Sequence, residues 1–460
     1  MPRRTFTALP FLLLAPFMLT ACDPAALDPE PDDLDAIAER YVHLVLGIGE
    51  IDGGYVDAYY GPEEWRAQVR EENLDKDALL ERARSLQNAL KEIPVPEETL
   101  PALRHEYLAK QLDALTAYLE ILNGKTLSFD AEAKALYDAE PPHFDAAHFE
   151  TILEEIDALV PGDGPLADRV EAFRRQFIIP PERLETVFNA AMSECRMRTL
   201  VHVPLPVRED FRIEYVTDKP WSGYNWYQGD AKSLIQVNTD LPIFLDRAVE
   251  LGCHEGYPGH HTYNVLLESE LVKERSWVEF TVYPLFSPQS LIAEGSANYG
   301  VELAFPGDEQ LEFERNVLAP LATLPTDQLD EYAKLREQLR RLDYAGNEAA
   351  RAYLNGDANR EETIDWLVKY GLYSPERAAQ RGKFIDTYRS YVINYNLGRD
   401  LVRDHVGHRD AGGTPGAAEG PVQEERAVEQ RERPVVGAGH DAERGDRERP
   451  ADVEPRPSLP

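Results

Sequence analysis

The sequence predicts a mainly helical protein with a small antiparallel β-sheet set just before a histidine-bearing helix. Three observations predict it. Apolar residues recur at three- and four-residue spacing through the first half. Two short segments after Val201 alternate apolar and polar residues instead. Past Pro288 the helical spacing returns. A period of 3.6 marks a helix with one buried stripe, and a period of two marks a half-buried strand.

Leu34, Ile37, Tyr41, Leu44, Val45 and Ile48 form the first stripe. Leu79, Leu80, Ala83, Leu86, Leu90 and Ile93 form the second, and Leu108, Leu112, Leu115, Leu119 and Leu122 the third, stopped by Gly124. Further helices are expected at about 145–159, 166–178 and 182–199, the last beginning beside Pro180-Pro181. Phe211-Arg-Ile213-Glu-Tyr215-Val216 and Ser233-Leu-Ile-Gln-Val-Asn238 read as paired strands, separated by a Gly- and aromatic-rich stretch from Trp221 to Gly229. Ile243 to Leu251 is amphipathic and runs directly into His254-Glu255. From Pro288 to about Arg403 the chain reads as helical again.

The two ends differ in kind from this body. Met1 to Ala21 has a basic start, a short Pro-interrupted apolar run and a small-residue end, the pattern of a secretory signal peptide. Leu19-Thr20-Ala21-Cys22 resembles the lipobox of bacterial lipoproteins, which implies lipidation of Cys22 and a tether over residues 22–35. The expected location is across the inner membrane, lipid-anchored on the periplasmic side or at the cell surface. From His405 to Pro460 there is no aromatic residue, no Ile, no Lys and one Leu, so this tail cannot bury a core. Arg without Lys is also what a shifted reading frame of a GC-rich gene produces.

The net charge is −35. The tail carries 8 Arg against 12 Asp and Glu, so nearly all of the acidity lies in the body. That argues against nucleic acid and anionic lipid surfaces as electrostatic partners. With Cys22 assigned to lipid, Cys195 and Cys253 remain, and an oxidising compartment permits their pairing without requiring it.

The densest chemistry is Cys253-His254-Glu255-Gly256-Tyr257-Pro258-Gly259-His260-His261, which holds three of the chain's 11 histidines. It falls short of the zinc-protease signature H-E-x-x-H, because Pro258 stands where the second histidine belongs. Proline removes a helical hydrogen bond and clashes with the carbonyl of His254, so a bend or bulge is expected there. On a straight helix seven residues would carry a side chain roughly 10 Å along the axis. A two-residue bulge would instead return His260 to the place of the missing histidine, which favours His260 over His261 as the second ligand. His261 would then touch substrate or another metal ligand. Catalytic zinc takes three protein ligands and leaves one position open. The third is expected from a later helix, at Glu294 in Leu291-Ile292-Ala293-Glu294-Gly295-Ser296-Ala297-Asn298-Tyr299, where small residues allow close packing against the metal helix. Asn298, one turn on, could orient a ligand histidine. Glu255 is placed to act as general base.

His254-Glu255-Gly-Tyr-Pro258-Gly259-His260-His261 resembles the H-E-x-x-P-G-H-H motif of the bacterial family known as domain of unknown function 885. Ala293-Glu294-Gly295-Ser296-Ala297-Asn298-Tyr299 is similar to its E-G-W-A-x-Y block, with Ser296 in place of Trp, and Tyr395-Asn-Leu-Gly398 to its late Y-x-x-G. The resemblance spans about Leu34 to Arg403. It implies kinship with zinc peptidases whose third ligand is glutamate, a two-lobed helical fold and a deep cleft. It also singles out Tyr395, among Tyr388, Tyr391 and Tyr395, as donor to a tetrahedral oxyanion.

The expected organisation is therefore signal peptide 1–21, tether 22–35, an N-terminal helical lobe 36–200, a catalytic region 201–403 and a tail 404–460. The expected activity is that of a tethered metallohydrolase with one Zn2+, cutting small peptides. The strand Ser233–Asn238 would pair an extended substrate, Trp221, Tyr224, Trp226 and Tyr227 would line its cleft, and Arg399 could hold a carboxylate. A non-haem iron enzyme would use the same two histidines and carboxylate, and a non-catalytic lipoprotein could bind peptide in the same cleft.

Overall fold

The computed structural model describes residues 33–411, with side chains through residue 407. The leader, Cys22 and most of the tether therefore lie outside the described residues, as does the tail beyond Ala411. Asp33 caps the first helix by accepting from the amide of Ala36 at 2.8 Å, so helix rather than tether begins at Leu34. The last helix, Ile393–Ala411, carries the chain past residue 404 before the description ends.

The protein is mainly helical, as its periodicity predicts. Leu34–Ile51, Lys76–Glu92, Thr99–Leu122, Ala146–Leu159, Leu166–Arg174 and Leu184–His202 match the expected first-half helices. Gly124 follows the third with φ of 94°, a left-handed conformation that favours glycine. Two shorter helices, Glu63–Glu72 and Phe129–Tyr137, carry no stripe long enough to stand out in the sequence.

The largest apolar core joins the two ends of the body. Ile37, Tyr41, Leu112 and Leu119 from the first helices share it with Ile385, Val392 and Ile393 from the last. A second core gathers residues between Phe177 and Tyr332 around the histidine segment. The helix Leu184–His202 runs through the expected lobe boundary at 200/201.

The strands are β1 (Val56–Tyr59), β2 (Asp210–Val216), β3 (Gly223–Tyr227), β4 (Lys232–Asn238) and β5 (Val282–Pro284). β1 pairs antiparallel with β5. The other three form a sheet in the order β2-β4-β3, with β2 parallel to β4 and β3 antiparallel to it. This corrects the all-antiparallel expectation. The two alternating segments do pair, but the aromatic stretch between them is itself a strand. It forms the hairpin with β4 and leaves β2 to reach the far side of β4 by a crossover.

Candidate metal centre

The histidine segment is built by interrupting a helix. Leu245–Leu251 is regular, Gly252–Gly256 widens into a π-turn that carries His254 and Glu255, and Tyr257 is extended before a cis peptide to Pro258. A new helix starts at His260. Gly259 makes the reversal possible. Its amide donates to the Cys253 carbonyl at 2.9 Å, and a Cβ there would sit 1.8 Å from the His254 carbonyl oxygen. The reversal brings His260 back onto His254, with the two Nε2 atoms 3.1 Å apart and the rings edge to face. A disulfide between Cys195 and Cys253 ties the turn to the helix Leu184–His202. From β3, Asn225 donates to the Glu255 carbonyl at 2.6 Å.

A straight helix, Pro288–Ala304, supplies the partner groups. Glu294 Oε2 lies 3.1 Å from His254 Nε2 and 3.5 Å from His260 Nε2. Four residues on, Asn298 stands on the same face. Its Nδ2 donates to the Tyr395 carbonyl at 2.9 Å, which turns its Oδ1 toward His254 Nδ1 at 3.0 Å. His254 therefore donates from Nδ1 and keeps the Nε2 lone pair for the cluster. The helix sits close to its neighbours through glycine. A Cβ on Gly295 would lie 2.4 Å from the backbone of Gly398 in the last helix, and one on Gly300 would lie 2.8 Å from Pro258 Cγ. The small residues thus serve both the last helix and the histidine turn, where the sequence suggested only the turn.

The geometry of the three donor atoms fits a metal ion. Their separations are 3.1, 3.1 and 3.5 Å. Ligands about 2.0–2.1 Å from tetrahedral zinc stand about 3.3–3.4 Å from one another. Glu294 Oε2 is buried and receives no aligned hydrogen bond, while Oε1 accepts from Tyr391 at 2.7 Å. Glu255 also places a carboxylate oxygen within 4.8 Å of ring nitrogens of both histidines. The contacts of 3.1 and 3.5 Å make Glu294 the ligand candidate, with the Glu255 carboxylate also within 4.8 Å of both histidines.

The electrostatics call for positive charge. Burial pushes the Glu294 carboxyl up, but the histidines set against it, His260 foremost, outweigh burial and hold the group well below the usual carboxylate range. Burial lowers His260, yet Glu294, Glu255 and Asp57 raise it to about 9. Glu255 is raised, chiefly by burial, against the pull of both histidines. Gly223 in β3 leaves room for its carboxylate, since a Cβ there would lie 2.6 Å from Oε1.

His261 points the other way. One residue along a helix turns a side chain by about 100°. Its Nδ1 meets Ser233 Oγ at 2.8 Å and its Nε2 meets Glu209 Oε2 at 3.1 Å, all buried. Glu209 also accepts from Tyr257 and Arg196. His261 is neither in the cluster nor facing substrate space, which corrects its expected role. It anchors the turn to the sheet.

The site opens on a cleft of ≈ 500 Å³. Trp221, Tyr224 and Tyr227 line it as expected, but Trp226, 46% exposed, does not. β4 is the central strand with both neighbours in place, so it cannot pair a substrate. The edge that borders the cleft is β3, through Gly223, Tyr224 and Asn225. Tyr395 lines the cleft with its ring stacked 6.5 Å from that of His254. Arg399 is engaged by Asp400 at 3.2 Å. Sequence reasoning missed Asp57 of β1, which burial pushes up to about 7, and the contact of Tyr391 with Glu294. Neither carries a local signal, because each reaches the site from a distant element.

No family model matches the chain. No curated protein matches it either. Two solved structures are similar. One is a candidate lipoprotein of Colwellia psychrerythraea, 14% identical with a TM-score of 0.43 over 73% of this chain and 64% of that one. The other is a candidate lipoprotein of unknown function from Shewanella oneidensis, 11% identical with a TM-score of 0.37 over 77% and 71%. The chain thus spans less than two thirds of the first neighbour's length. Among the described residues no helix is long and apolar enough to cross a membrane.

Proposed function

We propose that this protein is a zinc-dependent hydrolase of small peptides, held outside the inner membrane by a lipid on Cys22. The observation that carries the reading is the triangle of His254 Nε2, His260 Nε2 and Glu294 Oε2 at 3.1–3.5 Å, with the Glu255 carboxylate within 4.8 Å of both histidines. The motif likeness to domain of unknown function 885 supports the same residues. Zinc held there supplies Lewis acidity toward water and a substrate carbonyl.

The chain's own groups do the rest. Asn298 fixes the tautomer and tilt of His254, and Tyr391 holds the outer oxygen of Glu294. Glu255 is buried, and its raised proton affinity suits a base that takes a proton from water and returns it to the leaving amine. Tyr395 faces the cleft and donates to the developing oxyanion. The β3 edge aligns an extended substrate.

The test is metal analysis of purified protein with a peptide-library digest of wild type and Glu255→Gln. The expected result is one zinc in both and a loss of about 10²–10⁴-fold in hydrolysis in the variant. Stoichiometric iron with oxygen consumption would replace the hydrolase by an iron enzyme. A zinc-loaded wild type inert to the library would leave a peptide-binding lipoprotein.

A further inference from the structure

We infer that the cleft wall facing the metal centre is a recognition site for clustered carboxylates, so that the preferred peptide is acidic. The inference rests on the hydrolase reading above.

The chain has 83 Asp and Glu against 48 Lys and Arg, so an arginine without a carboxylate needs a reason. Three other cleft arginines are matched, while the exposed Arg340 is not. Arg247 pairs with Glu250, Arg336 with Glu314 and Arg399 with Asp400. Arg174, Arg377 and Arg381 also line the cleft, yet among the described residues their guanidinium groups make neither an ion pair nor a hydrogen bond. Nε of Arg174 and of Arg381 are buried without a partner. A buried donor left unsatisfied is costly, and one that faces a cleft is placed to meet a ligand there, although the matched Arg336 also has an unpartnered Nε.

The neighbours do not cancel this surplus. Asp246 is shared among Arg336, Arg174 and Arg247 and also accepts from Tyr332 at 2.5 Å. Asp343 is shared among Arg399, Arg340 and Arg381. Arg377 has Arg247 and Arg174 as its strongest charged neighbours, with Glu171 weaker.

Placement suits a peptide. Arg377 and Arg381 lie one turn apart on the helix Pro375–Tyr388, so their side chains share a face. The Arg381 guanidinium lies 5.9 Å from the centre of the Tyr395 ring, which stacks 6.5 Å from that of His254. At about 3.3–3.6 Å per extended residue, the anionic group sits at most about four residues from the scissile bond. Planar guanidinium forks match carboxylates two bonds at a time, and several unpaired forks together take more than one carboxylate.

The experiment uses full-length, zinc-loaded Glu255→Gln protein and calorimetric binding of matched peptides that differ only in two Glu or two Gln residues. The Glu peptide is expected to bind about tenfold tighter or more, and Arg377→Gln with Arg381→Gln to abolish the difference. Equal binding of both peptides, or no binding, overturns the proposal without any change in the cleft wall. So does a preference that survives the double substitution. C-terminal amidation separates the sources. A preference lost on amidation assigns the anion to the peptide terminus, and one retained assigns it to acidic side chains. An acidic preference in protein that takes up no zinc keeps this site and sinks the hydrolase. Zinc-dependent hydrolysis without that preference does the reverse.

Discussion

The two segments that meet at the candidate metal centre solve the same problem by opposite means. His254, Glu255 and His260 are neighbours in sequence, and the helix between them must be broken to bring them together. Glu294 and Asn298 are also neighbours, but a straight helix already sets them one turn apart on one face. A regular helix aligns residues spaced by three or four. A spacing of six requires a π-turn, an extended residue and a glycine with no room for a Cβ. The irregular segment is therefore held from outside, by the Cys195–Cys253 disulfide, by Asn225, and by His261 through Glu209. Closing a loop of 58 residues with that disulfide contributes about 4 kcal/mol on a chain-entropy account.

The sharpest way to break the contrast is a methyl group at each glycine. Gly259→Ala drives a Cβ into the His254 carbonyl at 1.8 Å and is expected to cost more than about 3 kcal/mol, with loss of metal uptake. Gly295→Ala meets the Gly398 backbone at 2.4 Å, so it is expected to lower thermal stability by separating two helices while the histidine turn stays intact. Thermal melts with metal titration of both variants separate the two effects. Metal loss in Gly295→Ala but not in Gly259→Ala would invert the account.

A smaller effect sharpens the role of the straight helix. Asn298→Ala leaves all three ligand candidates in place but frees the His254 ring. Zinc affinity is expected to fall about 10–100-fold, measured by competition with a chelator. Unchanged affinity would show that the amide merely packs.

The smallest effect concerns the anchor of the irregular turn. Burial pushes the Glu209 carboxyl up, but its bonds with His261, Tyr257 and Arg196 outweigh that and hold it at about 2. A carboxyl whose folded pKa is depressed stabilises the fold above its unfolded value and loses that contribution as pH falls. Stability should therefore decline from about pH 4.5 toward about 2 through this group. Glu209→Gln is expected to be less stable near neutrality and to show a shallower decline across that window. Identical acid-denaturation profiles would remove Glu209 from the anchor.

These contrasts mirror what the sequence could and could not disclose. The stripes from Leu34 to Leu122 are local patterns, so the helices they mark were legible. Glu294 and Asn298 were legible as a pair because helical spacing is itself local. The bend at Pro258 followed from proline chemistry, and its direction toward His260 followed from counting residues. The strand Gly223–Tyr227 was hidden, because glycines and aromatics flank it and only pairing with β4 makes it regular. That error carried over to the substrate edge, placed on β4 when β4 is enclosed on both sides. The Tyr391 contact with Glu294 and the place of Asp57 were invisible because they depend on contacts between distant elements, such as the crossing of Gly295 and Gly398.

The central claim is that the interrupted helix turns His260, not His261, onto His254 and Glu294 to hold one metal ion. Zinc stoichiometry of wild type, His260→Ala and His261→Ala, each purified folded, tests it most directly. The account predicts one zinc per chain in wild type, none retained in His260→Ala, and a full equivalent in a less stable His261→Ala. A wild type that binds no metal, or zinc lost in His261→Ala and kept in His260→Ala, would contradict it.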